Sequence, residues 1–495
     1  MSLLDTVVQG TIEARAAQRT RLERFAAAHS LDEALVLWLD VRPGDAPPTK
    51  RDIVRRLSLD IARIDELISV QLNAILHEPA FQALEASWRG LRRLVGQVEE
   101  GTNVEVRVLG ISWRELARDL DKAIEFDQSQ IFQKVYSAEF GMPGGKPFGV
   151  LLGDYAVAHK PRGTERVDDV AALRSMSHVA AAAFAPFVVG AHPSLFGLDA
   201  WSELERPIDL ARALQGPEYI KWNALRDTDD ARFLGLTLPR ALMREPWRDD
   251  PRRNDGFRFR EDVSAGSSWL WGNAVYAFGE VLVRAFSECA WLAGIRGVDA
   301  EVDGGGLVTT LPPTCFETDA HGLVPKAALE VQITDTREKE LADLGLIPLC
   351  HCPGTTLAAF YSVGSLQRPA AYSTSEGTVN SKLSAMLQYV FCASRFAHYL
   401  KVIGRDRTGS FTTGEQLERQ LNDWLLQYAS SPEDMSDEMQ ARYPLSEAKA
   451  RVRGVPGKPG VFMSEIFLRP HFQLDTMTTA IKLVTELAQP GEARR

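Results

Sequence analysis

Only five cysteines occur in 495 residues, a sparse and odd-numbered set that offers no disulfide framework and reads as reduced thiols. No long uncharged apolar run is present, so no membrane-spanning helix is expected. The N-terminus, MSLLDTVVQGTIEARAAQRTRLERF, carries acids early and lacks a continuous apolar stretch ahead of a small-residue cleavage site, so no secretory signal is expected and a cytoplasmic location is. Positive charge is not in excess: the formal net charge of −10 argues against a general affinity for nucleic acid or for insertion into an anionic membrane. Neither HExxH nor GxSxG occurs, and Gly304-Gly305-Gly306 is not followed by Lys-Ser/Thr and opens no helix, so it reads as a turn into LVTTL. Internal repeats and low-complexity tracts are missing as well.

What is present is ordinary globular material, 45% hydrophobic and 25% charged, in a chain too long for one core. Leu3–Ala28 has an amphipathic helical pattern, Leu31–Leu39 reads as a second helix, and the Pro-rich segment from Arg42 to Lys50 breaks the chain. From Leu57, the residues Ile61, Ile64, Leu67, Ile68, Leu72 and Ile75 define one long helix face. Phe81, Leu84, Trp88, Leu91 and Leu94 define another, predicting a helical hairpin ahead of a strand over Val104–Leu109. Strands are predicted at Phe148–Leu152 and Leu329–Asp335, an Ala-rich helix over Val167–Ala183 ahead of the apolar run PFVVGA, and a buried central helix over Ser267–Phe286. Thr334 or Asp335 can cap a charged helix that Gly345 stops, followed by the strands LIPLCHC and TTLAAFY. Gln367–Ser375 reads as a boundary. Beyond it come a helix over Val379–Ile403 ending before Gly404, a capping box at Thr413 and Gln416, a hairpin from Ala450 to Leu468 turning at Lys458 and Gly460, and a final strand over Thr479–Leu487. The result is an α/β (α+β) chain of several domains.

Clusters that could carry chemistry have plainer explanations. Cys350 and Cys352 would share one face of a strand and His351 the other, and no second pair completes a zinc set. Asp168-Asp169 and Asp227, Asp229 and Asp230 read as solvated loops or helix N-termini. Leu238–Asp262 is rich in arginine and aromatics but interleaved with acids, so Arg240 and Arg244 are expected to make internal ion pairs. Neither a metal nor a cofactor is assigned.

Several segments, in the same order, resemble the large subunit of the type VI secretion contractile sheath, the TssC, VipB or ImpC family. They are LNAILHEPAFQALEASWRGLRRLV, WNALRDTDDARFLGLTLPR, WLWGNAVYAF, DTREKELADLGLIPLCHC, ASRFAHYLKVIGRD and LRPHFQL; Pro246-Trp247 departs mildly, tyrosine being the more usual aromatic there. The resemblance implies a contractile-sheath fold with an N-terminal helical segment (1–50), a main α/β domain (51–370) and a C-terminal inner domain with inter-subunit strands (371–495). It implies a structural subunit and no enzyme. Its expected partners are the small sheath subunit (TssB or VipA) in an obligate heterodimer, further copies in six-start helical rings, the Hcp inner tube, the ClpV AAA+ unfoldase and baseplate components. On that footing Leu3, Leu4, Val7 and Val8 are candidates for unfoldase binding. Glu415, Glu418, Arg419 and Asp423 are candidates for facing the inner tube, and Val452, Val461, Phe467, Ile481 and Leu483 for strands shared between subunits. Alternatives are a specialised sheath paralogue in the same machine and an α/β hydrolase-like or metal enzyme.

Overall fold

A strand that is apolar at every position must be covered on both faces, and the run around PFVVGA is built in that way. The computed structural model describes residues 23–41, 49–142, 144–162, 167–249, 252, 256–264, 266–292, 294–298, 304–314, 326–407, 413–430, 442–454, 462–471 and 481–487. Strands β1 (Leu151–Val157), β2 (Phe187–Ala191), β3 (Leu234–Leu238) and β7 (Ile347–His351) lie side by side and parallel. Two antiparallel strands, β8 (Ala358–Phe360) and β6 (Leu307–Val308), complete the six-stranded sheet. Phe187, Val189 and Ala191 join one hydrophobic cluster with the helix Asp169–Ala183; Val188, between them, joins a second with the helix Val275–Cys289. The period of two along β2 therefore feeds two cores at once. A short pair, β4 (Ala241–Leu242) and β5 (Trp271–Gly272), stands beside this sheet.

The chain divides into two units, Met1–Glu78 with Pro246–Ala265, and Pro79–Glu245 with Gly266–Arg495. In the first, Ser30 caps Leu31–Leu39 and a Thr49–Asp52 capping box opens Lys50–Leu76. The two helices meet where Trp38 Nε1 donates to Asp60 at 3.0 Å. The 246–265 segment is fastened to the end of the long helix: Asp262 N donates to Asn73 at 3.0 Å, and the buried Glu261 accepts from Trp247 N at 2.9 Å and lies 3.5 Å from His77.

Several expectations need correction. Among the described residues, Val104–Leu109 is extended but belongs to no sheet, and Leu329–Asp335 makes one isolated bridge, Leu329 to Ala241, although Leu329, Val331 and Ile333 are buried alternately. Alternating burial came from packing, with no ladder beside it. The first predicted strand starts later and runs through Gly153-Asp154-Tyr155, and the central helix begins only at Val275 because Trp271–Gly272 is used in β5. The helix expected over Val379–Ile403 is two, Ser375–Ser384 and Leu387–Arg407, and the second passes through Gly404. They part because the chain between them pairs with a neighbour: Ser365 N donates to Ala385 O and Leu387 N to Val363 O, at 2.9 and 3.1 Å. Most of the face expected along Lys50–Leu76 is exposed, Ile61 at 58% and Leu67 at 63%.

The helix Pro79–Gly96 packs on Val275–Cys289 through Ala86, Gly90 and Leu94. Between these helices Glu280 is buried with its carboxylate 3.7 Å from Arg93 Nε, and the Thr310 hydroxyl donates to it. Burial outweighs both partners and pushes the Glu280 carboxyl up from its ordinary 4.5 to about 7. A raised folded-state value means stability that is fully present below 4.5 and lost as pH rises through about 7. Glu280→Gln should remove this loss, so its melting temperature should fall by about 2–4 °C less than that of the unaltered chain between mildly acid and neutral pH. Parallel pH profiles for the two proteins would show that Glu280 ionises without cost.

Candidate interaction surfaces

The residues considered for chemistry are structural in this fold. Asp168 caps Asp169–Ala183, while Asp169 is buried and accepts from Trp113 Nε1 at 2.8 Å and Ala158 N at 2.9 Å; burial raises its carboxyl. Asp229 pairs with Arg232, Asp230 with His178 and Asp227 with Arg368. Arg240 forks onto Glu330 at 2.7 and 2.8 Å and the buried Arg244 lies 2.8 Å from Glu85, the internal pairing expected of them. Gly305 sits at φ +61° in a turn whose carbonyl, with that of Leu307, accepts from Arg284. At Gly306 a Cβ would stand 2.1 Å from the Phe360 carbonyl, so the glycines serve a close approach to β8. Cys350 is buried, with its thiol pushed up to about 12 by burial, and Cys352 Sγ lies 3.7 Å from the Tyr361 hydroxyl. Among the described residues no group of three or more His, Cys, Asp or Glu could hold a metal ion, and no helix is long and apolar enough to cross a membrane.

The C-terminal sheet is where the proposed contact residues collect. Strands β9 (Leu445–Gly454), β10 (Phe462–Pro470) and β11 (Ile481–Leu487) form an antiparallel sheet in the order β11-β10-β9. Ile466, Leu468, Ala450 and Leu445 face the helix Gly414–Leu426, whose Leu417, Leu421 and Leu425 are buried against them; the Thr413–Gln416 capping box starts that helix as expected. Val452 is half-buried against the same cluster, and Phe467, also half-buried, is one register step out of phase with Ile466 and Leu468. Ile481 and Leu483 stand opposite Leu468 and Ile466 in the β11–β10 register. The final strand thus pairs within this chain. Leu3, Leu4, Val7, Val8, Val461, Lys458 and Gly460 lie outside the described residues.

An exposed edge strand invites uncontrolled pairing, and the β9 edge is closed by side chains. Asn422 accepts from Ala450 N and donates to Ala450 O, both at 2.9 Å, and the Glu418 carboxylate accepts from Val452 N at 2.8 Å. The helix imitates a fourth strand at two successive outward positions. Glu418 is therefore engaged inside the chain, whereas Glu415, Arg419 and Asp423 are exposed on the same helix. Neither Asn422 nor the latch was legible from periodicity; the available signal was a polar pair four residues apart beside the leucine stripe. With β9 closed, β11 is the other end of the sheet, and among the described residues no strand pairs with its outer side.

Two family models match the chain: EvpB/VC_A0108, tail sheath N-terminal domain, over residues 58–367, and EvpB/VC_A0108, tail sheath gpW/gp25-like domain, over residues 376–487. The chain is also similar to the type VI secretion system sheath protein TssC1 of Pseudomonas aeruginosa, at 38% identity over 99% of this chain and 95% of that protein.

Proposed function

The chain belongs to the type VI secretion tail-sheath family, as its structural large subunit, and we propose that it assembles in the cytoplasm with the small sheath subunit around the Hcp tube and contracts to drive that tube outward. The observation that carries this reading is the asymmetry of the C-terminal sheet, with β9 closed by Asn422 and Glu418 and β11 left as an edge. Main-chain hydrogen bonds of an added or exchanged strand depend little on side-chain detail, so such a joint can hold while rigid bodies rotate about it. Val452, Val461, Phe467, Ile481 and Leu483 belong to this joint in our reading. The exposed Glu415, Arg419 and Asp423 would face the inner tube, with Glu418 committed to Val452. No catalysis is ascribed to the chain. Exposed apolar side chains along Lys50–Leu76 are of the kind an assembly subunit buries.

Expression with and without the small subunit tests the pairing. Alone the chain should form no tubules, and with the small subunit it should run as a stoichiometric complex; a monomeric chain indifferent to the small subunit would reject it.

Recycling by ClpV would use the apolar patch of Leu3, Leu4, Val7 and Val8, small enough for a groove in an unfoldase domain. Replacing Leu4 and Val8 by Asp should leave assembly intact and weaken unfoldase binding by about tenfold or more, since two buried aliphatic side chains contribute on the order of 3 kcal/mol. Unchanged affinity in a titration of that variant would remove the assignment.

A further inference from the structure

Between the helices Pro79–Gly96 and Trp113–Lys122 the chain runs extended through Val104–Gly110, and none of the main-chain groups there is hydrogen-bonded to another main-chain group. It is nevertheless tied down. Arg107 Nη1 lies 2.6 Å from Glu139, with the guanidinium over the Phe148 ring, and Glu105 pairs with Lys146. In an extended chain those two anchors share one face, so Val104, Val106 and Val108 share the other; Val106 is 36% and Val108 69% exposed. An extended run with unpaired donors and acceptors, fixed on one face and β-branched on the other, is half of a β-ladder.

We propose that Val104–Gly110 is a docking strand that receives an extended segment of another chain in the assembly, aliphatic at the alternate positions that meet Val104, Val106 and Val108. The backbone dictates the occupant's conformation: only a strand satisfies donors and acceptors that alternate along both edges. The valines dictate its composition, because a polar residue opposite them would lose water without gaining a partner. Every strand described in this chain already has a place in a sheet, so none of them is free to serve as the occupant. This rests on the sheath-subunit reading and adds a second strand-mediated joint, remote in sequence from the C-terminal sheet.

Hydrogen exchange read by mass spectrometry, on the full chain before assembly and in co-expressed tubules, tests it. Amides of 104–110 should exchange near the unstructured rate before assembly and at least about 100-fold more slowly in tubules. Unprotected amides in well-formed tubules would overturn the proposal, as would protection already complete in the unassembled chain, which would make the occupant a segment of this same chain. Tubules that never form from the unaltered proteins would instead count against the sheath reading. Proline gives a second readout, since an extended backbone accepts it while one donor is removed. Val106→Pro and Leu109→Pro remove donors from opposite edges, so one of the two should abolish tubules while melting within about 2 °C of the unaltered chain, roughly the resolution of a small stability change in a chain of this size. Normal tubules from both variants would exclude a strand at this position.

Discussion

Truncation after Thr478 is expected to leave soluble complexes with the small subunit and to abolish long tubules. The deleted segment contains β11, which pairs with β10 from Leu468↔Ile481 to Phe462↔Leu487. Its removal uncovers a strand whose Ile466 and Leu468 are anchored in the helix-backed core, so the remaining β9–β10 hairpin keeps its packing against Leu417, Leu421 and Leu425. What is lost is the outer edge on which a neighbour can add, or the strand a neighbour can exchange. Normal tubules from the truncated chain would show that β11 serves only the internal fold. Addition and exchange are separable by cross-linking. Ser464 and Thr485 are directly opposite in the register, so Ser464→Cys with Thr485→Cys places two thiols at cross-strand distance. Exchange would yield cross-links between chains on assembly, whereas addition would keep them within one chain.

Asn422→Leu is expected to damage both stability and specificity. The substitution keeps the number and branching of side-chain heavy atoms but strands the N–H and C=O of Ala450 beside an apolar side chain, a cost of about 1–3 kcal/mol for each group left without its partner. For a fold whose net stability is on the order of 5–15 kcal/mol, that is a large fraction. It also unlocks the β9 edge, so off-pathway lateral aggregates should appear where the unaltered chain forms tubules. Gln420→Leu, at an exposed position of the same helix, supplies the control. Equal melting temperatures and equal aggregation for the two variants would mean that Asn422 closes nothing.

Sequence reasoning reached furthest where local chemistry decides the outcome. Thr334 and Thr413 cap their helices through their own hydroxyls, and Gly345 ends one helix at φ +77°; the run around Val188 reads as apolar in the sequence, and only the sheet shows it to be a strand covered on both faces. Leu383, Leu387, Val390, Ser394, Ala397 and Leu400 recur at helical spacing and are all buried, yet the break at Ala385-Met386 is not legible from that spacing. It arises from hydrogen bonds to Val363 and Ser365, residues remote in sequence. The same limit governs the two missing strands. Periodicity reports which side chains are covered, and it does so for Leu329, Val331 and Ile333, but it carries no information about whether another main chain runs alongside. Val104–Leu109 has a strand's composition and a strand's backbone and lacks a strand's neighbour. Among the tube-facing candidates, Glu418 looked equivalent to Glu415 and Asp423 because all lie off the leucine stripe; only the position of β9 singles it out.

The central claim is that this chain is a sheath-forming subunit, and electron microscopy of the chain co-expressed with the small sheath subunit proposed as its partner tests it most directly. Negative-stain images should show hollow tubules, cogwheel-shaped in end view, with six-start helical order along their length. Discrete, soluble particles containing one copy of this chain, with no tubules at any protein concentration, would contradict it.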